Sequence, residues 1–102
     1  MHGVNATEMS IVKEILKTYA SDSIVRAFGS RYEGKHQPWS DLDLAFEAPA
    51  GKKLSLIDRG KISEAFSCSD LPYKVDVIDY NGARSAFRQL IDASHKIIYN
   101  GC

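Results

Sequence analysis

A Gly-Ser pair at positions 29 and 30, a gap of ten residues, and then Asp41-Leu42-Asp43 constrain this chain more than any other feature. The run from Ile24 to Gly29 reads as a strand, and Gly29 permits a tight turn after it. Residues 41–47 read as a second strand. Side chains alternate along a strand, so Asp41 and Asp43 share one face while Leu42, Leu44 and Phe46 take the other, as a core side should. The two carboxylates would lie about 7 Å apart. At an effective dielectric of about 20 they would repel by about 2 kcal/mol. A hard divalent cation relieves that repulsion, so the pair reads as a metal site, most naturally for Mg²⁺ holding substrate phosphates.

Residues 7–20 have the three-and-four spacing of an amphipathic helix, with Ile11, Val12, Ile15, Leu16 and Tyr19 on one side. Either Asn5, with Glu8 three residues on, or Thr7 can cap it. Residues 31–34 allow one short helical turn, and 35–39 read as loop punctuated by Pro38. Pro49 and Gly51 mark a surface connection. Ser55, followed by Asp58, starts a helix through about Phe66. Residues 73–79 form a third strand. Asn81-Gly82 opens a last helix, with Phe87, Leu90, Ile91, Ser94, Ile97 and Ile98 on one face, and Asn100-Gly101 closes it. The expected order is α-β-β-α-β-α, an α/β (α+β) arrangement in which a small mixed β-sheet is packed by helices.

One hundred and two residues predict one domain spanning 1–102. Thirteen basic and thirteen acidic residues cancel, so no basic excess drives direct nucleic-acid binding. There is no apolar run near the ~18 residues of a membrane span, and no signal segment. Cys68 and Cys102 do not form a metal-ligand spacing and read as reduced thiols, consistent with a cytoplasmic protein. His2, His36 and His95 show no cluster that would suggest zinc.

The Gly29-Ser30 and Asp41-x-Asp43 spacing resembles the signature of the DNA polymerase β-like nucleotidyltransferase superfamily. The stretch Lys74-Val75-Asp76-Val77 supplies the position of the family's third carboxylate, Asp76. The flanks resemble the minimal nucleotidyltransferases, small proteins commonly encoded beside a helical HEPN protein as the antitoxin of a toxin–antitoxin pair. The resemblance implies a polymerase β-like nucleotidyltransferase fold with Asp41, Asp43 and Asp76 as catalytic and metal-binding residues, in a two-metal site for Mg²⁺. It implies that Gly29, Ser30 and Arg31 contact the nucleotide phosphates. ATP or another NTP is the implied substrate. The implied partner is a HEPN-like protein, assembled as a heterotetramer around a partner dimer, whose tyrosine accepts AMP.

Two other readings stay open, the first of them because Glu33 stands where the family frequently has a second arginine. One is a binding module that neutralises a toxin or senses a nucleotide without catalysis. The other is a two-subunit transferase acting on a small molecule such as an aminoglycoside. Asp79, three residues after Asp76, has the opposite strand parity and reads as a strand-end residue. Trp39, Tyr73 and Tyr80 lie near loop and strand ends, where the aromatic anchors of an interface often occur.

Overall fold

The computed structural model describes residues 3–101; the expectations for His2 and Cys102 lie outside them. Helix α1 (Ala6–Tyr19) starts at a capping box, with the Asn5 side chain accepting from the Glu8 amide at 2.8 Å and Glu8 accepting from the Asn5 amide at 3.1 Å. Strand β1 (Ile24–Phe28) runs into a single-turn helix, α2 (Gly29–Glu33). Strand β2 is Leu42–Glu47, so Asp41 sits just ahead of the ladder rather than within it. Helix α3 (Leu56–Ser67) is capped by the Ser55 hydroxyl, which accepts from the Asp58 amide at 3.0 Å. Strand β3 (Val75–Asp79), helix α4 (Ser85–Ala93) and strand β4 (His95–Asn100) complete the described chain.

The four strands lie in the order β3-β2-β1-β4. β2 and β3 are parallel; β1 is antiparallel to both of its neighbours. Val25, Ala27, Leu42, Leu44, Phe46, Val75 and Val77 project to one face, where they pack on Val12 and Leu16 of α1 and on Ile62 and Phe66 of α3. Phe46 is fully buried at the centre of this layer. Phe46→Ala is expected to cost about 3–5 kcal/mol of unfolding free energy, measured by denaturant titration, because it combines lost transfer energy with a cavity.

The C-terminal segment departs from the expected single helix. The helix begins at Ser85, and Asn81 instead donates through Nδ2 to the carbonyls of Ala48 and Lys52 at 3.1 and 2.8 Å. It ends at Ala93, because Ser94 turns extended (φ −154°, ψ 95°) and five of the next six residues pair with β1. The apolar residues at 97 and 98 fit a helical face and a strand equally well. What decides is the free edge of β1, whose backbone groups need partners that a continued helix could not supply. A bulge between Val25 and Arg26 of β1 leaves Ile98 as the extra residue on β4, and Ile98 is buried. Gly101 then donates its amide to the Ser23 carbonyl at 2.9 Å, fastening the end of β4 to the start of β1.

Candidate active site

The register between β2 and β3 places Asp43 directly beside Asp76, and that between β1 and β2 places Asp43 beside Phe28. Phe28, Asp43 and Asp76 thus form a row across three strands, on the face opposite the core. Asp41 lies two residues before Asp43, and Gly29-Ser30 begins α2 straight after Phe28. The positions singled out by spacing meet at one corner of the sheet. The core contacts of Leu42, Leu44, Val75 and Val77 are what turn the carboxylates outward.

The three carboxylates are neighbours rather than a closed ligand shell. Among the described residues no group of three His, Cys, Asp or Glu side chains encloses a metal position. They still share one field. The Asp43 carboxyl is pushed up to about 6, first by burial and then by the charges of Asp76 and Asp41. Asp41 and Asp76 are exposed, so Asp43 bears the desolvation. Gly29 adopts φ +78°, and a Cβ there would collide with Oδ2 of Asp43. The turn therefore needs glycine both for its backbone and for the close approach of the carboxylate. An oxygen-only donor set, carrying mutual repulsion and set against a glycine turn, fits a hard divalent cation.

The raised Asp43 value sets a pH dependence. The folded state holds this proton more tightly than the unfolded chain, whose carboxyl titrates near the ordinary 3.8. The contribution to stability is full below that lower value and is lost as pH rises through about 6. Asp43→Asn should therefore raise the melting temperature of the metal-free protein at neutral pH, by a margin that shrinks on acidification through this range. Thermal melts in chelator check this; an equal margin at both ends would contradict it.

Arg31 does not serve as expected. Its side chain is buried, at 4% exposure, and its guanidinium donates to three backbone carbonyls. Nε reaches Ser40 O at 2.7 Å, Nη1 reaches Gly3 O at 2.8 Å and Nη2 reaches Pro38 O at 2.8 Å. The guanidinium also lies 3.7 Å from the centroid of the Tyr73 ring. A side chain committed in this way is not offered to a triphosphate. Tyr73 is likewise committed inward, its hydroxyl donating to Glu8 Oε1 at 3.1 Å. Tyr80 donates to Asp92 at 2.7 Å. Of the three proposed aromatic anchors only Trp39 stands free in solvent, at 77% exposure. Glu33 is exposed, and Lys35 Nζ approaches it at 3.8 Å.

Sequence reasoning missed what flanks the corner. Phe87 of α4 meets Phe28 edge-on, with ring centroids 5.9 Å apart, so α4 borders the carboxylate row. A cleft of about 450 Å³ opens beside Asp76, lined in part by Arg59 and Phe87. The apolar pattern put Phe87 on the packed face of the last helix but gave no sign that α4 borders the site, and nothing local marks Arg59, which reaches the cleft from α3.

A β1–turn–β2 unit with Gly-Ser at the turn, two aspartates on one strand and a third on the adjacent parallel strand defines a nucleotidyltransferase corner. The chain belongs to the polymerase β nucleotidyltransferase family, whose model, described as "Polymerase beta, Nucleotidyltransferase", matches residues 11–101. A relative from Haemophilus influenzae, "Probable protein adenylyltransferase MntA", is 40% identical over 95 residues, covering 93% of this chain and 82% of that protein. A toxin–antitoxin complex with AMP-PNP contains a chain of the same fold, with a TM-score of 0.74, 23% identity, and coverage of 90% of this chain and 73% of the other. The complex of a tri-AMPylated Shewanella oneidensis HEPN toxin with its MNT antitoxin gives a TM-score of 0.68 at 21% identity, over 90% of this chain and 69% of the other. No helix among the described residues is long and apolar enough to cross a membrane.

Proposed function

We propose that this chain is a Mg²⁺-dependent protein adenylyltransferase that moves AMP from ATP onto a tyrosine hydroxyl of a helical HEPN partner, and so acts as the antitoxin of a pair. The observation that carries the reading is the Phe28–Asp43–Asp76 row, with Asp41 and the Gly29-Ser30 turn at its end. The 40% identity to the protein named "Probable protein adenylyltransferase MntA" supports the choice of reaction. That toxin–antitoxin complexes share the fold supports the choice of partner.

Asp41, Asp43 and Asp76 would hold the metal, which supplies charge neutralisation for the triphosphate and the displaced pyrophosphate. The first-turn amides of α2, after Gly29, have no partners within the helix and would be available to the nucleotide phosphates. The Ser30 hydroxyl adds a donor there. The acceptor hydroxyl attacks the α-phosphorus, the bond to pyrophosphate breaks, and Asp76 accepts the hydroxyl proton. Asp76 suits that task because it is exposed and borders the cleft with room for an acceptor side chain. The partner supplies the acceptor pocket. Trp39 and Leu90, at 77% and 71% exposure, give the chain apolar surface for it to cover.

The test is co-expression with the adjacent gene product, followed by light scattering and intact-mass measurement with and without ATP–Mg²⁺. The expected result is a stable complex with one copy of this chain on each side of a partner dimer, and a mass gain of one AMP per modified hydroxyl. A complex that forms without any mass gain would establish the non-catalytic binding module instead. Separate elution with no modification would remove the antitoxin reading altogether.

A further inference from the structure

The most heavily engaged polar side chain outside the carboxylate row is Arg31. Burying a guanidinium costs several kcal/mol unless its donors are met. No acidic side chain forms a salt bridge with it among the described residues. Its charge is balanced by three carbonyls and by the face of the Tyr73 ring.

The placement of these acceptors is specific. Pro38 and Ser40 flank Trp39 and lead directly to Asp41. Asp41 is not part of the β2 ladder, so its position depends on the Ser40 peptide that precedes it. The same loop is closed by Ser40 N donating to Gln37 O at 3.0 Å and by Gln37 N donating to Ser40 Oγ at 2.9 Å. Tyr73 precedes Lys74, whose carbonyl accepts from the Leu42 amide at 2.9 Å, where β2 enters its register with β3. The third acceptor, Gly3, also donates its own amide to Arg31 O at 3.1 Å. A Cβ at Gly3 would stand 2.7 Å from both Cβ and O of Arg31, so the segment before α1 fits only as glycine.

We infer that Arg31 is a positioning residue for nucleotidyl transfer: its buried guanidinium clamps the Pro38–Ser40 loop to Gly3 and Tyr73, and so fixes Asp41 beside Asp43 without touching the nucleotide. The inference rests on the proposed role of Asp41 in holding metal-bound nucleotide. It gives the arginine after Gly-Ser a different task from phosphate binding. It also makes the segment before α1 a part of the site's scaffold.

The test compares Arg31→Lys, Arg31→Met and Gly3→Ala with the wild type. Lysine keeps the charge but cannot reach three diverging carbonyls. Gly3→Ala leaves the arginine in place and displaces its partner. Two measurements are made on the full chain: hydrogen–deuterium exchange across residues 35–42, and ATP binding by calorimetry against Mn²⁺ concentration and in EDTA. For Arg31→Lys the clamp predicts that loop exchange and the Mn²⁺ requirement for ATP binding both rise by about tenfold, as for one lost charge-assisted hydrogen bond. ATP affinity in EDTA should stay at the wild-type value. Gly3→Ala should move both quantities in the same direction, and Arg31→Met should move them further if it folds.

Weaker ATP binding in EDTA would overturn the inference in favour of a phosphate contact. A lowered melting temperature with unchanged loop exchange and metal requirement would overturn it in favour of a purely structural arginine. If wild-type ATP binding shows no metal dependence at all, the proposed function falls. Loop exchange then decides the clamp alone, with a rise upholding it and no change overturning it.

Discussion

Replacing Asp41 and Asp43 together by asparagine should abolish the gain in ATP affinity that Mg²⁺ provides and reduce adenylyl transfer by about 10³-fold or more, the scale expected when the groups that place and neutralise a transferring phosphoryl are lost. The fold should survive. Both side chains keep their size, and the substitution removes charges that oppose one another in the native state. The Asp43 carboxyl, pushed up to about 6 by burial and its two neighbours, carries that opposition. The decisive measurement is calorimetric titration of ATP with Mg²⁺ and with chelator, paired with a thermal melt of each protein. Equal Mg²⁺-dependent ATP binding by wild type and double variant would remove these residues from the site.

The second large effect separates two aspartates three residues apart. Asp76→Asn should eliminate transfer, because Asp76 is paired in register with Asp43 and faces out from the sheet. Asp79→Asn should leave transfer within a few-fold of wild type. Asp79 is paired in register with the buried Phe46, so its side chain leaves β3 on the face opposite Asp76 and meets the same cleft only at the strand's end. One of its oxygens, Oδ1, is buried without a hydrogen-bond partner, and a Cβ at Gly82 would strike the other. Its substitution should register in the melting temperature instead. Transfer assays on both variants at matched folded fraction check this. A comparable loss of activity in both, with stability unchanged, would mean that strand parity does not govern which carboxylate serves the reaction.

The carboxylate corner and most of the elements around it were legible in the residues alone. The spacing of Gly29-Ser30 to Asp41-x-Asp43 is a local property, because a turn and a strand of alternating side chains need no distant partner to be recognised. The caps at Asn5 and Ser55 are local in the same sense, each a side chain meeting an amide three residues on. The opposite facing of Asp76 and Asp79 followed from parity alone. The rest depends on segments that meet across the chain. Residues 95–100 became a strand because β1 had an edge to fill, and periodicity carries no record of a partner some seventy residues away. Arg31 turned inward because carbonyls from Gly3, Pro38 and Ser40 converge on one point beside Tyr73, a site that exists only once the sheet and α1 are assembled. A residue's type limits what it can bond to, but in this chain the long-range contacts chose which of those bonds form.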